Sequence, residues 1–508
     1  MHYRYMMHVV LAILGICTAL SQSAVAQTRL GLHVTQEELT LWRQRMTDNV
    51  NGVNGYSFQS IYQNRVLADA NSFRSQAHPG GDGYYQGWTG AGCAPNNIWG
   101  ETGDPAYTPG SGGTPYGRGN GAWLMRSAFN FLLTGDASYA HPVRTELLAL
   151  VTEPGLDFSN TGKWCAEQAD TSPSFEIVPW LIRVLLGYDY LRAGGYTGLS
   201  AAEQTTLNTW FKNAAIYFAN VNEAIMSRGY YHGIYDTPPN YTCDGCPGFS
   251  YGYTLYYNGP IVYDAAKPFF NQLAVSPPLS MAMGLITNDP TLINHAVVWV
   301  TAFIKGGIYD NGAVVDFDRW RDCLPPDGSG PCPRSMWNHT EGAVSSLIAT
   351  ADMYARAGNT SLYDLTAPTQ IPGGTGGTVS VRTMLRLLAD MANNTVQIYG
   401  TTDGSQLNNA TRLSWDTDGD SYTDFSSMAG NLYYNDSAIH TAMTRTLLSG
   451  NTSEGCADAQ FGGCFSAVWA SWADLPFMYG NLEGLVNPYT TTPAGPCPGG
   501  TSTRKRRR

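Results

Sequence analysis

Apolar residues recur at helical spacing along much of this chain, and short polar turns divide the predicted helices into pairs. Examples of these turns are Thr134-Gly135-Asp136, Thr287-Asn288-Asp289 and Ala357-Gly358-Asn359. Turns this short join helices that are neighbours in space. The pattern therefore predicts an all-α fold of paired helices, either an α/α toroid or a helical solenoid.

Helix-start signals support this interpretation. Thr35 is followed by Glu37 and Glu38 in a first turn, and Ser200 with Glu203 has the spacing of a capping box. The predicted elements are helices at 39–46, 121–133, 143–151, 175–191, 200–222, 279–286, 292–303, 341–357, 379–392 and 437–448, and short strands at 312–317 and 395–399.

Long segments rich in Gly, Pro and Tyr separate some of these helices. They are predicted as loops at 79–120, 226–268 and 308–340. Loops of this length in a compact domain are usually functional or disordered. Their aromatic content favours a function.

The two termini are predicted to lie outside the folded domain. Residues 1–26 resemble an export signal, with a basic start, an apolar run at 9–20 and the small residues Ala24-Val25-Ala26 at a cleavage position. The run is short for a membrane span, and no later segment approaches about 18 uninterrupted apolar residues. We therefore expect a secreted or periplasmic protein with one catalytic domain at 27–489. A disordered, basic tail is expected at 490–508.

The cysteines fit an exported protein. One of the ten, Cys17, falls in the export signal, which leaves nine. An oxidising compartment favours disulfides over metal thiolates. Three pairs lie close in the sequence and favour local disulfides: Cys243 with Cys246, Cys323 with Cys332 and Cys456 with Cys464. Cys93 and Cys165 are a candidate fourth pair, which leaves Cys497 in the tail, and a redox motif at Cys243-Asp-Gly-Cys246 is the alternative for the first pair.

The amino-acid composition limits the classes of molecule that the protein is expected to bind. Charged residues make up 14% and aromatic residues 12% of the chain, and the net charge is −11. This acidic balance argues against nucleic acid as a partner. Many aromatic residues with few charges suit contact with sugars, although a large core with tyrosines on its surface would have the same composition. We expect no nucleic-acid or membrane partner and a monomer.

Asn271 and Gln272 are adjacent amides in an apolar setting. Polar groups placed there lose free energy unless they find hydrogen-bond partners. An amide can donate a hydrogen bond to a carboxylate without carrying charge, so the pair is a candidate binding site for the carboxylate of a uronic acid. Ser276-Pro277 resembles an N-cap with proline at the first helical position, which would place the amides just before a helix. The alternative is a pair that caps or bridges backbone groups at a turn.

A second cluster of candidate functional residues lies at 228–240. It contains Tyr231, His232 and Tyr235 close together. A tyrosine can transfer protons when a nearby cation lowers its pKa from about 10. A sugar-stacking loop or a structural loop would use the same residues.

A third cluster of candidate functional residues combines arginines with a histidine. Arg319 and Arg321 are followed by Arg334, Trp337 and His339, which lead into a predicted helix. Arginine recognises carboxylates through a planar fork, and histidine titrates near neutral pH. For Arg319 and Arg321, pairing with the neighbouring aspartates is the alternative.

Other patterns are less specific. His295 lies in an apolar helix and is expected to be a core residue. No convincing zinc spacing is present, and no metal is assigned to the site. Acidic residues at alternate positions resemble a calcium loop, but the usual glycine and closing glutamate are missing, so a solvated acidic turn is an equal alternative. These residues are Asp416, Asp418, Asp420 and Asp424.

Three segments together resemble the alginate lyase superfamily, over roughly residues 121–365. The helix ending in Tyr188-Asp189-Tyr190-Leu191 resembles that family's Tyr-Asp-Tyr-Leu helix. The segment from Asn271-Gln272 to Thr287-Asn288-Asp289 resembles its Asn-His or Asn-Gln helix, and Arg334 to Leu362-Tyr363-Asp364 resembles its arginine segment. The chain departs from the family in two places. Trp337 and Asn338 replace the usual tyrosine, and Pro277-Pro278 interrupts the amide-bearing helix.

The resemblance implies an incomplete (α/α)n toroid with long loops and few short strands. It also implies β-elimination on a uronate polymer such as alginate or glucuronan, with no cofactor. Asn271 and Gln272 would neutralise the sugar carboxylate, and Arg334, Arg319 or Arg321 would support the charge. His339 falls near the family's tyrosine-histidine site. Tyr231 or Tyr235, beside His232, would supply the missing tyrosine.

Two other classes of function remain open. An α/α-toroid glycoside hydrolase would use paired carboxylates, and a glycan-binding protein would form no product. The candidate carboxylates for a hydrolase are Glu167, Asp170, Glu176, Asp236 and Glu341.

Overall fold

We describe the protein from a computed structural model. The residues it describes are 28–53, 56–75, 118–152, 156–159, 172–226, 274, 276–314, 333–370, 376–392, 433, 436–439 and 473–480. Helices dominate these ranges, as the apolar periodicity predicts.

The long helices follow the predicted order along the chain, whereas the short helices α2, α3, α11 and α13 were not predicted. They are α1 Gln36–Arg45, α2 Phe58–Ile61, α3 Ala68–Ser75, α4 Arg118–Thr134, α5 Ala137–Thr152, α6 Ser172–Ala193, α7 Ala201–Met226, α8 Ser276–Thr287, α9 Pro290–Gly306, α10 Pro333–Arg356, α11 Ser361–Asp364, α12 Val381–Ala392 and α13 Leu475–Tyr479. A π-helical segment, Tyr62–Leu67, joins α2 to α3.

Strands are short in the described ranges. β1 Gly52–Val53 pairs antiparallel with β2 Tyr56–Ser57, and β3 Ala367–Pro368 pairs antiparallel with β4 Thr378–Val379. Of the strand predicted at 312–317, Val314 forms an isolated bridge with Ile308. The strand predicted at 395–399 lies outside the described residues.

The predicted turns reverse the chain through a left-handed residue at their centre. Gly135 has φ +75°, Asn288 φ +54° and Gly358 φ +98°. Glycine has no Cβ to clash in this conformation, and asparagine tolerates it better than most residues. After the second turn, the Asp289 carboxylate accepts the backbone N–H of Thr291 at 2.9 Å and starts α9.

The long helices α4 and α6 run parallel. Gly121, early in α4, lies against Trp180, whereas Gly194, just after α6, lies against Phe131 near the end of α4. Contacts that advance along both helices in the same direction require parallel axes. Small residues at these positions let the two helices approach closely.

Helices α6, α8 and α10 also end together. The backbone N–H of Leu32 donates to Asp189 near the end of α6 at 2.7 Å, and neighbouring His33 lies 2.5 Å from Asp352 near the end of α10. Ile286, near the end of α8, lines the same cavity as Asp189. We call this the turn end, and the end at which α4, α6, α8 and α10 begin the entry end.

Helices α5, α7 and α9 return antiparallel after the short turns and therefore finish at the entry end. The buried apolar side chains form one connected core. In α10 every side chain from Ala343 to Met353 is buried, so this stretch is covered on all sides. An α-helix that is apolar all round belongs in the interior.

Two predicted helix starts are confirmed by their caps. Thr35 Oγ1 accepts the N–H of Glu38 at 3.3 Å, while the Glu38 carboxylate accepts the N–H of Thr35 at 2.9 Å. Ser200 and Glu203 make the same reciprocal pair at 3.2 and 2.8 Å. The second pair is the capping box that the spacing predicts, and the first shows that the predicted start after Thr35 is a capping box as well.

Other boundaries were wrong, and proline explains two of them. α5 begins at Ala137 and contains Pro142, six residues before the predicted start at 143. Ser276 is a buried helical residue and Ala274 is already helical, so Ser276 is not an N-cap and Pro277-Pro278 do not interrupt the helix. Near a helix start, proline removes few intrahelical donors and its fixed φ suits the helix.

Candidate functional site

The residues predicted to act on substrate fall into two groups. Arg334, Trp337 and His339 lie in the first two turns of α10, where the structure describes the backbone but not these side chains. The others lie outside the described residues: Tyr231, His232, Tyr235, Asn271, Gln272, Arg319 and Arg321.

The position of Arg334, Trp337 and His339 corrects the predicted loop at 308–340. α10 begins at Pro333, eight residues before the predicted start at 341. Proline at the first helical position has a suitable φ and lacks only a donor that would be unpaired there. A rigid helix, not a loop, therefore carries the backbone of these residues.

The helix directions bring the relevant chain ends to one side of the molecule. α8 and α10 pack against each other and both begin at the entry end. α7 ends there because it returns antiparallel to α6. The segment 227–273, which contains Tyr231, His232, Asn271 and Gln272, connects the end of α7 to α8. The segment 315–332, which contains Arg319 and Arg321, leads into α10.

The helix starts at the entry end offer backbone donors to an anion. The first N–H groups of a helix lack intrahelical partners, and the helix dipole adds partial positive charge at that end. Four helices, α4, α6, α8 and α10, begin on this side. Helices α5, α7 and α9 end on the same side and add partial negative charge there, so the helix dipoles offset one another and the unpaired N–H groups are the feature that suits a carboxylate.

At the turn end, a buried charge network connects helices far apart in sequence. Arg356 of α10 donates to both carboxylate oxygens of Glu38, at 2.5 and 2.8 Å, and to Asp352 at 2.8 Å. Asp352 also contacts His33 at 2.5 Å. The side chains of Arg356, Asp352 and His33 are fully buried. The network therefore fixes the segment before α1 to α10.

In this network the positive charge of Arg356 and the negative charges of Asp352 and Glu38 stabilise one another. Burial opposes the positive charge of Arg356, but the carboxylates of Asp352 and Glu38 outweigh it and raise its pKa well above the usual value. Nearby, burial raises the pKa of Asp189, while the N–H of Leu32 and the charge of Arg192 act in the opposite direction. Buried charges of this kind need partners to avoid a large desolvation penalty.

The same region joins the first and last described segments. Arg45 of α1 donates to the carbonyls of Phe477, Met478 and Gly480 at 2.7, 2.9 and 2.7 Å. These acceptors lie in and just after α13, where the helix dipole favours a cation. Trp42 donates to the Met478 carbonyl at 2.9 Å.

The sequence interpretation missed this network. The four-residue spacing of Asp352 and Arg356 is a recognisable signal for an ion pair. Glu38 was identified only as a capping residue of α1. Nothing in the sequence connects it with an arginine 318 positions away.

Two of the motifs behind the family resemblance have structural roles here. Tyr188 donates to Asn208 at 3.1 Å, Asp189 accepts the N–H of Leu32, and Tyr190 packs against Phe129 with ring centroids 5.2 Å apart. Tyr363 is also buried. These residues hold the turn end together, far along α6 and α10 from the entry end.

His295 is a core residue, as predicted. It is 1% exposed on α9, and burial lowers its pKa to about 4. The imidazole is therefore neutral at pH 7 and lies within the core.

The remaining predictions concern residues beyond the described ranges. These are Asp416, Asp418, Asp420 and Asp424 of the calcium pattern and all the cysteines. Among the described residues, no group of three His, Cys, Asp or Glu side chains is arranged to hold a metal ion. In the same ranges, no helix combines the length and the apolar character needed to cross a membrane.

No protein-family model matches this chain, and no curated protein matches it significantly.

Proposed function

We propose that the protein is a secreted polysaccharide lyase that cleaves a uronic-acid-containing polysaccharide, of the alginate or glucuronan type, by β-elimination. In this proposal the paired helices form an incomplete α/α toroid within one catalytic domain at 27–489. The export signal at 1–26 is removed. The substrate is an acidic polysaccharide, and the reaction uses no cofactor.

The observation that supports the proposal most strongly is the shared direction of α8 and α10. Asn271 and Gln272 immediately precede Ala274 and α8, and Arg334 and His339 belong to the first turns of α10. Both helices begin at the entry end, which supports a shared site for residues that are far apart in sequence. A cleft at that end is the simplest way for them to act together.

The proposed chemistry divides between charge neutralisation and proton transfer. Amide donors from Asn271 and Gln272, with Arg334, stabilise the negative charge that develops on the uronate carboxylate. This makes the C5 proton more acidic. A base removes that proton, the C4–oxygen bond breaks, and a double bond forms between C4 and C5. The leaving oxygen takes up a proton.

The groups proposed for proton transfer are histidines and tyrosines of the second and third clusters. His339 or His232 acts as the base, and Tyr231 protonates the leaving oxygen. Tyr235 and Trp337 offer aromatic faces to the sugar rings, and Arg319 and Arg321 bind neighbouring carboxylates. An amide cannot act as a general acid or base near neutral pH, so the elimination requires this second group of residues.

The proposal is tested by the products formed from alginate, glucuronan, hyaluronan and pectate. A lyase creates an unsaturated sugar that absorbs ultraviolet light. A hydrolase creates new reducing ends without that absorbance, and a binding protein forms no product. Either of the last two outcomes would contradict the proposed reaction.

The site is tested by Asn271→Ala and His339→Ala. Loss of Asn271, which stabilises transition-state charge, should lower kcat by about 10²–10³-fold, and loss of His339 as the base should lower it by about 10²–10⁴-fold. Asn64→Ala and His141→Ala are matched controls, because both side chains are exposed and lie away from the start of α8 and α10. Circular dichroism checks that all variants fold. Full activity in both Asn271→Ala and His339→Ala would refute the assignment.

A further inference from the structure

A cavity of about 410 Å³ opens at the turn end, where the segment before α1 crosses α6 and α8. Its polar lining comes from Arg29, Asp189, Arg192, Tyr196 and Gln204. The volume falls in the range of small-molecule sites. The cavity lies at the opposite end of the helices from the backbone positions of Arg334 and His339.

The two arginines have unused donors within the described structure. Arg29 Nε donates to the Gly31 carbonyl at 3.0 Å, which leaves its terminal amino groups for another partner. Arg192 lies over the ring of Tyr188, 5.6 Å from its centroid. Among the described residues, neither guanidinium forms a salt bridge. Two like charges lining one small cavity repel each other, and an anion placed between them would remove that repulsion.

The charge at the base of the cavity limits which anion fits. Asp189 is 3% exposed, and one of its oxygens accepts the N–H of Leu32 at 2.7 Å. Two arginines and one carboxylate leave a single formal positive charge. A monoanion balances it, whereas a phosphate dianion would exceed it and would meet the carboxylate of Asp189.

The remaining lining groups suit hydroxyls and a ring. Gln204 donates to the Leu199 carbonyl at 3.1 Å, so its amide oxygen can still accept. Tyr196 contributes a hydroxyl, already 2.6 Å from His141 Nδ1. Leu30, Leu285 and Ile286 provide apolar surface. A planar carboxylate on a hydroxylated ring would use each of these features, since arginine binds carboxylates through paired donors.

We propose that this cavity binds a small hydroxylated monocarboxylate of the sugar-acid class, with its carboxylate held by Arg29 and Arg192. Hydroxyls of the ligand bond to Asp189 and Gln204. The inference does not rest on the proposed lyase activity, because none of the described residues that line the cavity is a catalytic candidate.

Isothermal titration calorimetry on the mature chain tests the proposal, with glucuronate as the probe. Glucose, which lacks the carboxylate, and inorganic phosphate serve as comparison ligands. We expect glucuronate to bind at least about tenfold more tightly than either. No glucuronate binding, or equally tight binding of glucose or phosphate, would overturn the proposal.

Variants locate the binding. Arg29→Gln and Arg192→Gln should each weaken glucuronate binding about tenfold, the effect of losing one charge-assisted hydrogen bond. Arg382→Gln is the matched control, because that side chain is 60% exposed and lies on α12, outside the cavity. Melting temperatures check that all three variants fold. Unchanged affinity in both cavity variants would overturn the proposal.

The titration is repeated with Asn271→Ala, since the proposed catalytic site would also recognise a uronate. Binding that survives in Asn271→Ala but weakens in Arg29→Gln supports the cavity, whatever the activity of the protein. The reverse pattern would place the ligand at the catalytic candidates and refute the cavity site.

Discussion

At the turn end the long helices are joined by short turns and held by a buried network of paired charges, whereas at the entry end α8 and α10 follow long segments of the sequence that contain the catalytic candidates. Arg356, Glu38 and Asp352 illustrate the first arrangement. Arg334 and His339 illustrate the second. Both arrangements occur on α10, separated by a helix body that is buried on all sides between Ala343 and Met353.

This contrast indicates a division of labour along the helices. Buried, fully paired charges hold segments in one arrangement, and removing one partner is costly. Residues that contact ligands are more often found in segments supported by such a scaffold. Substitutions at the turn end should therefore change stability, and substitutions at the entry end should change activity.

The largest stability effect is expected for Arg356→Met. It leaves the buried carboxylates of Glu38 and Asp352 side by side without their cation, which should lower the free energy of unfolding by about 3–5 kcal/mol. Denaturant unfolding measures the loss. Arg382→Met is the control. The Arg382 side chain pairs with Asp436 but is exposed to solvent, so the expected change in the free energy of unfolding is below about 1 kcal/mol.

Activity completes this test. The fraction of Arg356→Met that remains folded should turn over substrate at the rate of the native protein, because the network lies at the turn end. A fall in kcat per folded molecule comparable to that of Asn271→Ala would show that the two ends do not have separate roles.

A smaller effect is expected from His295, near the turn-end start of α9. Its pKa is about 4 in the folded protein, against about 6.5 in the unfolded chain. As the pH falls through this window, the unfolded chain binds a proton first, so the folded state loses stability. The loss contributed by His295 between about pH 7 and about pH 5 should be about 2 kcal/mol.

His295→Gln should remove that contribution. Unfolding free energies of the variant and the native protein, measured at both pH values, give the difference in their pH dependence. His141→Gln is the control, because His141 is exposed. An identical pH dependence in His295→Gln and the native protein would contradict the assignment of a buried neutral imidazole.

The smallest effect is expected at the helix caps. Thr35→Ala removes the side-chain acceptor for the N–H of Glu38 and should cost about 1–2 kcal/mol, since this cap is buried and Glu38 also binds Arg356. Ser200→Ala removes the equivalent cap of α7, which is exposed, and should cost about 0.5–1 kcal/mol. Thermal unfolding compares them, and a larger loss for Ser200→Ala would contradict the added role of Glu38.

Much of the helical architecture could be predicted from the sequence because its determinants are local. The apolar periodicity identified the long helices, the spacing of Ser200 with Glu203 identified a capping box, and the Thr-Gly-Asp and Thr-Asn-Asp turns identified reversals. Helix starts with proline were less accurate. Pro277 and Pro333 occur inside the first turn of α8 and α10, where proline is tolerated, and the prediction placed both starts too late.

The candidate site was predicted residue by residue, and those roles remain predictions. Asn271, Tyr231 and His232 lie outside the described residues, and the side chains of Arg334 and His339 are not described. The structure adds the directions in which the helices run. The parallel course of α8 and α10 could not be read from the sequence, because the long segments between the helix pairs give no local signal for it.

The sequence by itself determined where helices form, how several of them are capped and where the chain reverses, since these depend on residues within a few positions of each other. Tertiary structure alone decided that Glu38 meets Arg356, that Leu32 meets Asp189, and that Arg29 and Arg192 line one cavity. Such contacts join distant positions, and their free energy comes from packing and burial, which only the assembled helices supply.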